Sequence, residues 1–377
     1  MTSSTLGSSS SPAAARTRRA RLAAAAQPVS PGPQTASIAQ GVLAAVDAAV
    51  TLASPELRLD VVPHLGGGIA RFDWRGDGAT TPIFRGCEHV EAGTDPNALG
   101  CYPLLPYSNR IGAGAFDCEG RRVEVPRNRS GEPLPIHGDG WLSRWQIDDL
   151  SATELQLSLD RRQGSPYAYR ATQSYALDGA SLTIALAIEN CGPERLPFGL
   201  GVHPFIVRDE RTELAAAANG LWLSGPDWLP RRHVNVPPAW QFGIAYPLPS
   251  TLVNHAFTGW GGRATVAWPT RGLSMAIESD ADCYVLYTPP GERFFCFEPV
   301  DHPINAVNLP GGADAHGMTL LGPGERLTRR FRFTVERADP RAGAPKAAEQ
   351  GAEKNGWKSG RNPLKRRHAA EAGGRCG

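Results

Sequence analysis

The sequence predicts an all-β protein: one large antiparallel β-sandwich held between two polar tails. Three observations predict it. Apolar and polar residues alternate with a period of two in run after run. Gly and Pro, 42 and 33 of 377 residues, punctuate those runs. No amphipathic helical stretch of convincing length interrupts residues 55–337.

Taken in order, residues 1 to about 35 are rich in Ser, Ala and Pro and read as a disordered extension. The arginines at 16–21 followed by alanines make too weak an apolar run for a secretory leader. "ASIAQGVLAAVDAAVTLA" (36–53) is Ala-rich and reads as a short helix with weak patterning. The three glycines at 66–68 lack a following helix signal, so they read as a sharp turn rather than a phosphate loop.

"ELQLSLD" places Leu155, Leu157 and Leu159 on one face of a strand. "YAYRATQSYAL" alternates Tyr167, Tyr169 and Ala171 with polar partners. "SLTIALAIEN" does the same with Leu182, Ile184, Leu186 and Ile188, and "LTRRFRFTV" with Leu327, Phe331, Phe333 and Val335. One face of each strand should meet a core and the other solvent, as in antiparallel sheets. The expected organisation is an extension over 1–50, one β-sandwich over 51–337 and a basic tail over 338–377.

Charge is divided in the same way. The net +2 comprises +3 in residues 1–50, +5 in 338–377 and −6 in 51–337. An acidic body argues against a nucleic-acid surface, which needs Lys and Arg to neutralise phosphates. No run approaches a membrane span. The seven cysteines (87, 101, 118, 191, 283, 296, 376) are scattered and odd in number. They form no disulfide framework or zinc knuckle, and a reducing, cytoplasmic setting is expected. The nine histidines contain no H-E-x-x-H or H-x-x-x-H, so no metal is expected.

Four segments carry conspicuous polar groups. Asn109 and Arg110 precede a Gly-rich turn in "LLPYSNRIGAGAF". His137 lies in the Pro/Gly loop "LPIHGDGW". His203 stands in the apolar "LPFGLGVHPFI". Glu298 follows four aromatic or apolar residues in "FFCFEPVDHPINAVNLP". Singly, each has a plain reading: a core histidine, a turn asparagine, a solvated arginine, a strand-end ion pair. A buried ionised carboxylate is costly, however, so Glu298 needs a partner or a task. A His and a Glu on one concave sheet face would make an acid/base pair, with reference pKa values of about 6.5 and 4.3. No serine sits in a nucleophile elbow, against a serine hydrolase.

Together, and in this order, the segments resemble the aldose 1-epimerase (galactose mutarotase) family over roughly residues 55–336. The resemblance rests on "PHLGGGIARFDW", "YSNRIGAGAF", "IHGDGW", "GLGVHPFI", "CYVLYTP", "FCFEPVDHPINAVN" and "LGPGERLTRRFRF". It implies a twisted β-supersandwich that interconverts the α and β anomers of a free sugar without a cofactor. By position His203 resembles the general acid and Glu298 the general base. Asn109, Arg110, His137 and Asn254 resemble sugar binders. A monomer or homodimer acting on a small sugar is expected. Three positions depart from the pattern: Asn254 and Asn305 replace the family's usual acids, and Val285 stands where relatives often have Gln. Alternatives in view are a hexose-6-phosphate 1-epimerase, with Arg71, Arg85, Arg110 and Arg144 as available cations, and a non-catalytic carbohydrate-binding protein of the same fold.

Overall fold

A computed structural model describes residues 48–76 and 78–338. Among them there is no α-helix, only strands and seven single-turn 3-10 segments. The strands form a nine-stranded sheet, an eight-stranded sheet, a four-stranded sheet and two two-stranded ribbons. Every pairing between named strands is antiparallel.

The period-two runs form the nine-stranded sheet. Tyr169–Asp178 pairs Ser181–Asn190, which pairs Arg326–Arg337. Leu182, Ile184, Leu186 and Ile188 are buried, while Thr183, Ala185, Ala187 and Glu189 between them are partly exposed. Phe331, Phe333 and Val335 join the same hydrophobic core.

The eight-stranded sheet differs, because its central strand Phe294–Val300 is buried on both faces. Phe295 and Phe297 point into the main core with Tyr284, Leu286 and Phe257. Cys296 and Val300 point the other way, into a second cluster with Ala256, Cys283 and Val285. That two-sided burial explains the continuous apolar run before Glu298: strict alternation is expected only where one face meets water.

The Gly66–Gly68 stretch is a turn, as its sequence reads. Gly66 and Gly67 have φ of +69° and +60°, and a Cβ on Gly66 would collide with the Trp141 carbonyl. The helix expected over 36–53 is corrected where it can be seen. Val50–Ala53 is a strand paired with Leu57–Val62, so sheet pairing overrides the weak helix preference of the alanines. The rest of that segment, the extension before residue 48 and the tail beyond Ala338 lie outside the described residues. The six described cysteines are free thiols.

Candidate active site

Glu298 lies on the second face of the eight-stranded sheet, directly opposite Val285, which is opposite Ala256. The floor beside the carboxylate is therefore short and apolar. His203 follows the two-residue strand Gly201–Val202, whose Gly201 pairs Val300. A Cβ on Gly201 would come within 2.7 Å of the Val300 side chain and 2.9 Å of the Pro299 carbonyl. The glycine thus lets the His203-bearing segment close on the Glu298 strand. His203 Nε2 then sits 3.3 Å from Glu298 Oε1.

Both groups are almost wholly shielded, His203 at 8% and Glu298 at 2% exposure. His203 Nδ1 and Glu298 Oε2 have no hydrogen-bond partner among the described residues. Burial pushes the Glu298 carboxyl up to about 8, opposed by the nearby Arg110 charge. Burial pushes the His203 imidazole down to about 3; its own backbone hydrogen bond opposes this, and the Arg85 charge reinforces it. The Glu298 shift is in the direction that its apolar run implies, whereas the reference value of about 6.5 for His203 is corrected downward. Desolvation disfavours both charges, so near neutrality the pair holds one exchangeable proton, on Glu298.

Asn109 and His137 come together at the same place. The Asn109 N–H donates to His137 Nδ1 at 3.0 Å, and the His137 N–H donates to the Asn109 carbonyl at 2.9 Å. Both residues have positive φ, 54° and 60°. Such backbone persists only where the surroundings fix it, and it is common at ligand clamps. Because Nδ1 accepts, the neutral His137 ring carries its proton on Nε2. The His137 and His203 rings meet edge to face, 5.3 Å apart. Tyr102 and Trp141, 5.0 Å apart, wall the same space. Tyr102 lies 4.7 Å from the His203 ring, and Phe205 stacks against the same ring at 4.6 Å and 18°. Arg110 is largely buried, ion-paired to Glu132 at 3.0 Å.

Asn254 is placed less centrally. It lies opposite Tyr287, which lies opposite Cys296, on the same sheet face as Glu298 but two strands away. Asn305 is not a polar wall of the site. It sits at φ 57°, and its Oδ1 accepts from the Gly112 N–H at 2.8 Å and from Asn308 Nδ2 at 2.9 Å. Asn tolerates this left-handed conformation, which accounts for an amide at this turn.

The four candidate cations do not gather into one group. Arg71 pairs with Asp60 and Asp73 on the four-stranded sheet. Arg144 lines a hollow against the nine-stranded sheet, with Ser158, Thr172 and Ala187. Arg85 lies over the Phe205 and Phe294 rings, 4.0 and 4.6 Å from their centroids.

Sequence reasoning missed His302. Its ring is 2% exposed; Nδ1–H donates to the Pro303 carbonyl at 2.9 Å and Nε2 accepts the Ser108 N–H at 3.1 Å. It thereby props the turn that carries Asn109 and Arg110. Its neighbour Asp301 accepts from Arg329 Nε at 2.5 Å and from the Leu200 N–H at 2.9 Å. The available signal was a second His, four positions past Glu298, in the same buried-looking segment.

An antiparallel β-sandwich with buried polar side chains gathered on one face of its second sheet places the chain among the galactose mutarotase-like folds. The aldose 1-epimerase family model matches residues 48–334. The chain belongs to the aldose 1-epimerase family. It is 34% identical over 296 residues to the uncharacterized Escherichia coli K12 protein YphB, covering 76% of this chain and 98% of that one. A crystal structure of a candidate aldose 1-epimerase from Escherichia coli K12 superposes with a TM-score of 0.71 at 32% identity, covering 77% of this chain and 99% of that one. The Caenorhabditis elegans GalM/aldose epimerase homologue shares the fold, with a TM-score of 0.67 at 14% identity over 77% of this chain and 99% of its own.

Proposed function

We propose that the protein is an aldose 1-epimerase that interconverts the α and β anomers of a free aldohexose by acid/base ring opening. The observation that supports this most directly is the 3.3 Å contact between His203 and Glu298, both of them buried.

The reaction needs a proton removed from the anomeric hydroxyl and one delivered to the ring oxygen. The C1–O5 bond then breaks, leaving an open-chain aldehyde. Rotation about C1–C2 presents the other carbonyl face, and the same groups close the ring in reverse. One base and one acid suffice, each positioned transfer contributing roughly 10²–10⁴-fold, so the chemistry calls for no cofactor.

Glu298 is assigned the base and His203 the acid. The resting pair has the proton on the carboxyl. Moving it across the contact gives carboxylate and imidazolium, the reactive form. Both forms have the same net charge, so a bound sugar selects between them without proton uptake from solvent. Sugar hydroxyls at Glu298 Oε2 and the Arg110 charge both favour the carboxylate. His137 Nε2–H, Asn109 and Arg110 are assigned the ring hydroxyls. Asn254, on the same face, is assigned the far edge of the sugar.

The test is polarimetry on freshly dissolved α-glucose and α-galactose. Equilibration faster than the buffer-catalysed rate is expected with at least one of them. No acceleration across a panel of free aldohexoses overturns the proposal.

A further inference from the structure

The backbone around His137 runs as one rung of a strand. Ile136 bridges Arg110 in antiparallel fashion. On that edge the Ile111 N–H donates to the Pro135 carbonyl at 3.2 Å, and the His137 N–H to the Asn109 carbonyl at 2.9 Å. The Ile136 N–H and carbonyl point to the opposite edge, where the partner is a side chain. Asn128 Oδ1 accepts the Ile136 N–H at 3.0 Å, and its Nδ2 donates to the Ile136 carbonyl at 2.6 Å and to the Gly138 carbonyl. One oxygen meets an N–H and one amino group meets two carbonyls, so the partners fix the orientation of the amide. It exchanges both bonds with Ile136, as the backbone of a neighbouring strand would.

The grip falls where the chain needs it. His137 and Gly138 are both left-handed, with φ of 60° and 66°. A Cβ on Gly138 would collide with the Leu105 carbonyl. Such backbone persists only where its surroundings over-determine it. Past His137, Trp141 Nε1 donates to the Gly138 carbonyl at 3.0 Å, and Asp139 Oδ2 accepts Arg161 Nε at 2.8 Å. Before it, the hold is Asn128. Asn128 is itself tied down through its neighbour Arg129, which pairs with Asp95 at 2.5 Å and lies 5.4 Å from the Trp141 ring centroid. Burial holds the His137 imidazole well below its ordinary range, and His203, Arg110 and Arg129 add to that. The ring is therefore neutral near pH 7, and its Nδ1 accepts the Asn109 N–H.

We propose that Asn128 is a positioning residue for the sugar. By fixing the peptide groups on both sides of His137, it keeps Nδ1 on Asn109 and so keeps the ring proton on Nε2, the donor assigned to a ring hydroxyl. Asn128 touches neither the sugar nor the His203–Glu298 pair. The kinetic part of the proposal rests on the sugar-binding role of His137.

The test uses the full chain as parent, Asn128→Ala, His137→Ala and the double variant. The sugar is whichever of α-glucose and α-galactose the parent equilibrates faster by polarimetry. In Asn128→Ala, KM should rise roughly tenfold, the worth of one lost hydrogen bond, with kcat little changed. In the His137→Ala background the same substitution should raise KM by less than about twofold, because it acts through a ring no longer there. Equal KM increases in both backgrounds, or a fall in kcat at unchanged KM, overturn the proposal. Long-range 1H–15N NMR near pH 7 reads the ring itself, its signals identified by their loss in His137→Ala. The parent should show the Nε2–H tautomer alone and Asn128→Ala a mixture of both. An unchanged tautomer in Asn128→Ala overturns the proposal. If the parent turns over no sugar, the epimerase reading fails and the tautomer alone decides the position of the ring. Asn128→Asp keeps the volume and the acceptor but loses both donors; it replaces Asn128→Ala, with the same expectations, if the alanine variant does not fold. If neither variant folds, Asn128 serves the fold alone and the positioning role is overturned.

Discussion

His302 Nε2 accepts the Ser108 main-chain N–H at 3.1 Å, across 194 positions of sequence. Its other ring nitrogen is spent on the Pro303 carbonyl. A Cβ on Gly199 would collide with this ring, so the space for it is also reserved. The pair fixes where the Asn109–Arg110 turn sits relative to the Glu298 strand.

His302→Ala should therefore strand a buried N–H and leave a cavity. The expected loss of stability is about 2–4 kcal/mol, read from denaturant unfolding. In the protein that remains folded, KM should rise more than kcat falls, because the turn holds residues proposed to bind the sugar rather than the proposed acid/base pair. A kcat loss with unchanged KM would show that His302 acts elsewhere.

Asn305 offers a contrasting test. Its side chain closes a turn through Gly112 and Asn308, so it should matter to folding and not to the sugar. Asn305→Asp keeps an acceptor and a side chain tolerant of positive φ, and should leave KM within twofold. Asn305→Ala loses both features and should cost about 1–3 kcal/mol of stability. A KM change in Asn305→Asp of tenfold or more would return this position to the binding site.

Glu298→Gln keeps the volume and can still donate a hydrogen bond to His203 Nε2, but it cannot take a proton. Polarimetric turnover should fall by roughly 10²–10⁴-fold with sugar affinity largely retained. Turnover equal to the parent would end the assignment of Glu298 as the base.

The same substitution should also stabilise the fold at alkaline pH. Glu298 rises from 4.5 in its ordinary state to about 8 when buried. Between those values the folded chain holds a proton that the unfolded chain has released, so this group makes stability fall as pH rises. Its cost is absent well below pH 4.5 and grows to an upper limit on the order of 4 kcal/mol at pH 8. At pH 5 it is under about 1 kcal/mol. Glu298→Gln should then raise Tm by several degrees at pH 8 and little at pH 5. Equal shifts at both pH values would mean that the carboxyl is not held protonated.

Much of the architecture was legible because period-two burial is written residue by residue, as in Ser181–Asn190 and Arg326–Arg337. Where burial is two-sided, as at Phe294–Val300, the pattern vanishes and only the anomalous Glu298 remains as a signal. The meeting of His203 with Glu298 is implied by the family resemblance of the segments in their order, not by their spacing. Local sequence does not encode a contact between strands 95 positions apart. The upward shift of Glu298 was legible in the apolar run before it, but the downward shift of His203 was not. Reference pKa values describe groups in water, and the shift of each group comes chiefly from burial that only folding supplies, with Arg110 opposing it at Glu298 and Arg85 adding to it at His203. His302 went unread for a related reason: a buried histidine that accepts a main-chain N–H has no periodic signature.

The pH profile follows from the pair acting as a unit. Above about 8 the pair loses its single exchangeable proton, leaving no acid for the ring oxygen. Below about 3 His203 takes a second proton into the pair, leaving no base for the anomeric hydroxyl. Between these limits the proton count is constant, and kcat/KM should be flat across neutrality. Two groups at their reference values would instead give an alkaline limb near 6.5. The measurement is initial polarimetric rates from pH 5 to 10, in buffers whose own catalysis is subtracted. A plateau to about pH 8, then a tenfold fall per pH unit, is expected. A limb beginning near pH 6.5 would mean that the imidazole titrates as it does in water. The shielding of His203 by Phe205, Tyr102 and His137 would then not govern the chemistry.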